Sequence, residues 1–160
     1  MKYSLPLFFL FLLTLLGSCK KDDEKDTAPA QAALDEAAIQ AYIQANNLTG
    51  FQRQTSGLYV AITQPGTGDN AKDGQVVKVM YKGTTLDGNV FDSNPTTLGF
   101  PFQLGKGKVI AGWDEAFKLL NEGSKAILLI PSALAYGASG SGSIPPNAVL
   151  RFDVEVVDIK

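Results

Sequence analysis

The chain begins with an apolar run that gives way to a charged segment. Residues 5–16 are apolar apart from Pro6 and Thr14. At about a dozen residues the run is shorter than the ~20 needed to span a bilayer, but it has the length of a signal-peptide core. Residues 20–27 (KKDDEKDT) carry no large apolar side chain. We therefore expect residues 19–30 to form a solvated tether.

Residues 31–47 (QAALDEAAIQAYIQANN) have the spacing of an amphipathic helix. The apolar positions of this stretch are Leu34, Ala38 and Ala41, widened by Ile39, Tyr42 and Ile43. Asn46, Asn47 and then Gly50 should end the helix. Two interpretations stay open: the stripe packs on the chain's own domain, or residues 31–47 form a homodimer interface.

After Gly57 the pattern changes to short strand-like runs separated by turn residues. Strands are predicted at 58–62, 75–85, 126–130 and 149–159, with a hairpin turn at 86–89. The last strand alternates apolar and charged positions, as expected when one face of a sheet is solvated. Residues 113–120 have helical spacing, so we predict an α+β domain whose antiparallel sheet packs over one short helix.

Composition excludes several kinds of chemistry. The sequence contains no histidine, so neither a serine triad nor a histidine-based metal site can be built. Cys19 is its one cysteine, which rules out an internal disulfide and a cysteine-rich zinc site. We expect no metal and no cofactor, and the net charge of −2 gives no indication of nucleic-acid binding.

Aromatic residues are concentrated in the C-terminal hundred residues, where most would ordinarily be core. Seven short motifs accompany them in order: V-x-Y-x-G at 79–83, L-x-G-x-x-F-D-S at 86–93, V-I-x-G-W at 109–113, I-P-S at 130–132, A-Y-G at 135–137, I-P-P-N at 144–147 and L-x-F-x-V at 150–154. Over residues 57–160 this order and spacing resemble the FKBP family of macrolide-binding prolyl isomerases. The resemblance implies a strongly curved antiparallel sheet wrapped around one short helix, preceded here by an N-terminal helix.

Carried over by motif, the resemblance also implies an aromatic pocket with Trp113 as its floor. The residues expected around it are Tyr81, Phe91, Phe102, Val109, Ile110, Tyr136, Ile144 and Phe152, with Asp92 as the polar group. The Tyr136 hydroxyl and the Ile110 backbone N–H would donate to carbonyls of the bound peptide. A place for Phe100 in the pocket stays open.

Three departures from the family pattern bear on substrate preference: the glycine- and serine-rich loop at 137–143, Leu134 and Ala111. The resemblance implies a peptidyl-prolyl isomerase that acts on proline-containing polypeptides without an acid or base and that macrolides could inhibit. The alternative is a module that binds proline-bearing or apolar peptides with little turnover.

Residues 16–19 (LGSC) resemble a bacterial lipobox, in which the cysteine is lipidated and becomes the mature N-terminus. The predicted parts are then a signal peptide (1–18), a tether (19–30), a helical extension (31–56) and the isomerase domain (57–160). Lipidation of Cys19 would anchor an exported protein to the cell envelope, at the outer membrane. The alternative is an ordinary signal peptide with a chance cysteine.

Overall fold

The structure is a computed structural model that describes the backbone of residues 23–160 and the side chains from residue 28 onward. The predicted signal peptide, Cys19 and the first four residues of the predicted tether lie outside the described residues. Two helices and seven strands follow one another along the described chain: α1 (Asp23–Ala45), β1 (Gln52–Arg53), β2 (Tyr59–Gln64), β3 (Val76–Thr85), β4 (Val90–Asn94), β5 (Phe100–Gln103), α2 (Ala111–Ala116), β6 (Lys125–Ile130) and β7 (Leu150–Ile159).

The seven strands form one antiparallel sheet. Its order is β1-β2-β6-β7-β3-β4, and β5 pairs with β3 beyond the end of β4. The register shifts within β2, β3 and the β3–β4 pair. Because such irregularities bend strands and increase their twist, the sheet curls, which confirms the predicted curved architecture.

The main core lies between the inner face of the sheet and α2. It joins Val77, Val79, Leu128 and Phe152 of the strands to Trp113 and Ala116 of the helix, with other apolar residues around them. Gly112 allows α2 to approach this closely, since a Cβ there would lie 2.5 Å from Cγ2 of Ile130. A 3₁₀ turn, Phe117–Leu119, extends the helix.

The predicted strands and hairpin turn are present. In β7 the buried positions alternate as predicted, because Leu150, Phe152 and Val154 face the core while Arg151 and Asp153 face outward. The predicted helix at 113–120 begins two residues earlier, at Ala111, and continues as the 3₁₀ turn. The short strands β1, β4 and β5 were not predicted, since they are short and mostly exposed.

Helix α1 packs on the outer face of the sheet of its own chain. Ile39 is buried against Tyr59, Leu129 and Val149, and Tyr42 and Ile43 pack beside it. The predicted apolar stripe is therefore only partly right: Leu34, Ala38 and Ala41 lie on the exposed side. Asp35 takes their place at the contact, where its carboxylate accepts hydrogen bonds from the backbone N–H (2.8 Å) and hydroxyl (2.7 Å) of Ser132.

The helix begins at Asp23, eight residues before the predicted start, and ends at Ala45 rather than Asn47. Residues 23–30 of the predicted tether therefore continue the helix. Glu, Lys and Ala in this stretch have good helix propensity. The helix continues although Pro29 lies inside it, where proline lacks an N–H for the hydrogen-bond ladder and its ring crowds the carbonyl four residues earlier. At the other end, Asn47 adopts a left-handed conformation (φ 51°) that stops the helix.

Candidate active site

An aromatic cavity of about 200 Å³ opens between the inner face of the sheet and the N-terminus of α2. It draws on β3, β4, β5, β7, α2, the segment before α2 and the loop after β6. Its lining consists of Tyr81, Phe91, Asp92, Phe100, Lys108, Val109, Ile110, Trp113, Tyr136 and Phe152. The lining residues extend over 71 positions of sequence, from Tyr81 to Phe152, so the fold brings distant segments together to form the cavity.

A β-bulge places two neighbouring residues of β4 in this cavity. Gly83 pairs with Asp92, but the next residue of β3, Thr84, pairs with Val90, so Phe91 is the extra residue in the ladder. In a regular strand consecutive side chains point to opposite faces. The bulge breaks this alternation, and Phe91 and Asp92 both line the cavity.

Gly83 leaves the space that the aromatic rings fill. A Cβ at this position would lie 2.6 Å from Cζ of Phe91 and 2.8 Å from Cε1 of Phe152. The two rings meet edge to face above it, with centroids 5.5 Å apart and planes at 83°. The glycine of the V-x-Y-x-G motif thus allows the aromatic rings of the cavity wall to pack closely.

Trp113 forms the floor of the cavity and is 4% exposed. The rings of Tyr81 and Phe152 meet it nearly at right angles, with centroid distances of 5.1 and 5.2 Å. Its indole N–H is buried and has no hydrogen-bond partner among the described residues. Apart from this N–H the floor is an aromatic surface, so a group that enters the cavity exchanges contact with water for contact with rings.

The polar groups lie at one edge of the cavity. The Tyr81 hydroxyl donates to the Asp92 carboxylate at 2.7 Å. Burial, and then this hydrogen bond to a carboxylate, raise the pKa of Tyr81 well above its ordinary value. Tyr136 stands at the rim with 39% of its surface exposed, so its hydroxyl can reach a ligand.

The N-terminus of α2 contributes backbone groups. The carbonyl of Ile110 accepts from the N–H of Trp113 (2.9 Å) and of Asp114 (3.2 Å), which starts the helix. The N–H of Ile110 makes no hydrogen bond to another residue of the described chain. Ile110 belongs to the cavity lining, so this free N–H is a candidate donor to a peptide carbonyl.

Eight of the ten residues predicted for the pocket lie in the cavity lining. Phe102 does not: it is buried behind Trp113 (5.5 Å between ring centroids) and against Phe117 (5.1 Å). Ile144 also lies outside the lining, in the main core. Phe100, whose place was open, lines the cavity instead, and so does Lys108. Lys108 could have been identified from the sequence, because it directly precedes Val109 and Ile110.

The loop at 137–143 is closed by internal hydrogen bonds. Ser141 and Ile144 exchange two backbone hydrogen bonds (3.0 and 2.8 Å), and the Asn147 N–H donates to the Gly137 carbonyl at 2.8 Å. The loop therefore turns back on itself beside Tyr136.

Residues 23–160 contain neither a cluster of metal-binding side chains nor a membrane-spanning helix. This part of the chain has no group of three or more acidic, histidine or cysteine side chains placed to hold a metal ion. Its helices also include none with the length and apolar character needed to cross a membrane.

A curled antiparallel sheet with an aromatic cavity against one short helix is the architecture of FKBP-like domains. The chain belongs to the FKBP-type peptidyl-prolyl cis-trans isomerase family, whose model matches residues 68–157. It is 43% identical over 111 residues to FkpA, an FKBP-type peptidyl-prolyl cis-trans isomerase of Escherichia coli (strain K12), which covers 69% of the chain and 41% of that relative. The FkpA of Aeromonas hydrophila is 41% identical over 137 residues, or 85% of the chain and 51% of the relative.

The fold is similar to solved structures of the same family. The crystal structure of a peptidyl-prolyl cis-trans isomerase from Pseudomonas syringae has a TM-score of 0.68 and 30% identity, covering 81% of this chain and 96% of that one. The chain spans about two-fifths to one-half of the length of the two curated relatives above.

Proposed function

We propose that the domain catalyses the cis-trans isomerisation of Xaa-Pro bonds in polypeptides. The observation that carries the proposal is the cavity over Trp113, whose walls are aromatic and whose lining includes the hydrogen-bonded pair Tyr81 and Asp92. Such a cavity holds a proline ring by apolar contact and places the preceding amide among aromatic side chains.

Isomerisation is slow because rotation must break the partial double bond of the amide, at a cost of about 18–20 kcal/mol. The planar amide is more polar than the twisted one, so water stabilises the ground state more than the transition state. Transfer into a poorly hydrated site should therefore lower the barrier. Each tenfold gain in rate requires about 1.4 kcal/mol, and no proton has to move.

Each residue of the cavity lining has a role in removing water from the amide or in holding the substrate. Trp113 with Phe91 and Phe152 excludes water from the proline, while Val109 and Phe100 close the sides. The Tyr136 hydroxyl and the Ile110 N–H donate to substrate carbonyls. Tyr81 orients Asp92, whose negative charge opposes charge on the carbonyl oxygen of the planar amide. Macrolides that mimic a proline-containing segment would compete for the same cavity.

A protease-coupled assay on a short Xaa-Pro peptide tests the proposal. We expect turnover above the uncatalysed rate, and loss of most of it in Asp92→Leu and Tyr136→Phe. Tyr42→Phe, which removes a hydroxyl that only accepts from Arg151 (2.9 Å) on the far side of the sheet, is the matched control. Peptide binding with turnover equal to the uncatalysed reaction would identify a binding module instead.

Export and lipid anchoring belong to the same proposal and rest on the sequence of residues 1–19. With Cys19 lipidated, α1 would hold the domain close to an outer-membrane anchor, where it would act on exported proteins. Replacement of Cys19 by Ala should move the protein from the membrane fraction to the soluble fraction. Membrane association that survives the replacement would contradict the lipid anchor.

A further inference from the structure

A second, larger cavity of about 440 Å³ lies next to the aromatic one. We name it the helix groove: one wall is α1 with Leu34 and Ala38, the opposite wall is the hairpin that joins β3 to β4, and the third is the segment before β7. We propose that the helix groove binds an apolar stretch of the same polypeptide whose proline occupies the aromatic cavity. This inference rests on the proposed function and adds a second contact to it.

Continuity of the two cavities is the first argument. Phe91 lines both of them, because the bulge in β4 places its ring at the point where the hairpin wall meets the aromatic cavity. Phe91 is therefore a wall shared by a bound proline and the groove. A substrate that leaves the aromatic cavity past Phe91 enters the groove.

The second argument is the exposed apolar surface of the walls. Leu34 on α1 has 64% of its surface exposed, and Val90 on the hairpin has 54%. The two side chains belong to opposite walls, with Leu86 and Pro145 contributing further apolar surface. Large exposed apolar side chains that share one concave surface mark a binding site more often than scattered ones do.

The two carboxylates of the groove already accept hydrogen bonds from neighbouring residues. Asp35, at its base, accepts from Ser132 and from the Gln31 amide (2.7 Å), so its charge is already paired with donors. Asp87, at the rim, accepts from the Thr85 hydroxyl and from the Asn89 amide at 2.7 Å. The ligand that fits is uncharged and apolar, and the buried contact at Ile39 holds α1 in place to receive it.

Binding of fluorescent peptides of equal length tests the inference. One peptide carries a single Ala-Pro bond among serine and glycine, and two others place a leucine-valine run before or after the proline. One of the apolar peptides should bind about tenfold more tightly than the polar one, as burial of roughly one leucine side chain predicts. The difference should disappear in Leu34→Gln and in Val90→Thr.

Two variants outside both cavities serve as controls. Ala41→Gln changes an exposed position of α1, and Ile62→Thr changes a strand residue that is 47% exposed. Both should keep the tenfold preference. All four positions are exposed, and circular dichroism melts will establish that the variants fold.

Four outcomes would overturn the inference. Equal affinity of the apolar and polar peptides would do so while leaving the isomerase intact, because the short-peptide assay reports on the aromatic cavity alone. A preference that persists in Leu34→Gln and Val90→Thr would place the second contact elsewhere. A fall in molecular mass on Leu34→Gln, measured by sedimentation, would assign this face to a second copy of the chain. If neither turnover nor binding of any peptide occurs, both proposals fail together.

Discussion

Phe91 and Asp92 are consecutive residues of one strand, yet both line the same cavity. The bulge opposite Gly83 and Thr84 makes this possible. One strand thereby supplies an apolar wall and a carboxylate at adjacent positions. The arrangement depends on Gly83, whose missing side chain leaves room for the Phe91 ring.

Replacement of Gly83 by Ala should therefore damage the cavity and the sheet together. The new methyl group would displace Phe91 or Phe152, and overpacking of this kind costs about 1–3 kcal/mol of unfolding free energy. Affinity for a short Xaa-Pro peptide should fall as well. Urea unfolding and peptide titration measure the two effects. Lys82→Ala, the exposed neighbour in the same strand, should change stability by less than about 0.5 kcal/mol.

Tyr81→Phe should lower turnover while the aromatic packing on Trp113 is kept. The change removes the 2.7 Å hydrogen bond to Asp92, and loss of a bond to a charged group corresponds to about tenfold in rate. Tyr59→Phe is a matched control, because the Tyr59 hydroxyl also donates to a carboxylate, Glu36, at 2.5 Å but far from the cavity. Equal turnover in the two variants would mean that the Tyr81 hydroxyl does not contribute to the rate.

Because the pKa of Tyr81 is raised, its contribution to the unfolding free energy should decrease at alkaline pH. The folded protein holds the Tyr81 proton more tightly than the unfolded chain, where a tyrosine pKa is about 10. The contribution of Tyr81 to stability is then complete below about pH 10, and it is lost as the pH rises through the higher folded-state pKa. The difference in unfolding free energy between wild type and Tyr81→Phe should shrink in that window. A constant difference up to the most alkaline pH that the fold tolerates would contradict this.

The strands with one buried face could be predicted from the sequence, because alternation in β3 and β7 records which side meets the core. The short strands could not. Phe100 and Phe102 illustrate the reason: they are two residues apart and share a face of β5, opposite Val79 and Val77. Only the register with β3 decides that Phe102 lies deep in the core and Phe100 at the cavity.

The motifs located most of the candidate site, but its geometry needed long-range contacts. The bulge at Phe91 depends on pairing with β3, and the burial of Ile144 depends on the turn that it closes with Ser141. The start of α1 was predicted eight residues too late, because the charged stretch before it was interpreted as a solvated tether. The hydrogen bond between Asp35 and Ser132 was not predicted, because the two residues lie 97 positions apart in sequence.

Asp35→Ala should loosen α1 from the domain. Removal of the carboxylate leaves the buried backbone N–H of Ser132 without its acceptor, at a cost of about 1–3 kcal/mol. Unfolding free energy should fall by that amount, and hydrogen exchange should increase in α1 before it does in β6 and β7. Asp69→Asn, which alters an exposed pair with Lys72 at 2.9 Å, should leave both measurements unchanged. Full protection of α1 in Asp35→Ala would mean that the apolar contacts of Ile39 hold the helix alone, and that the groove wall does not depend on this carboxylate.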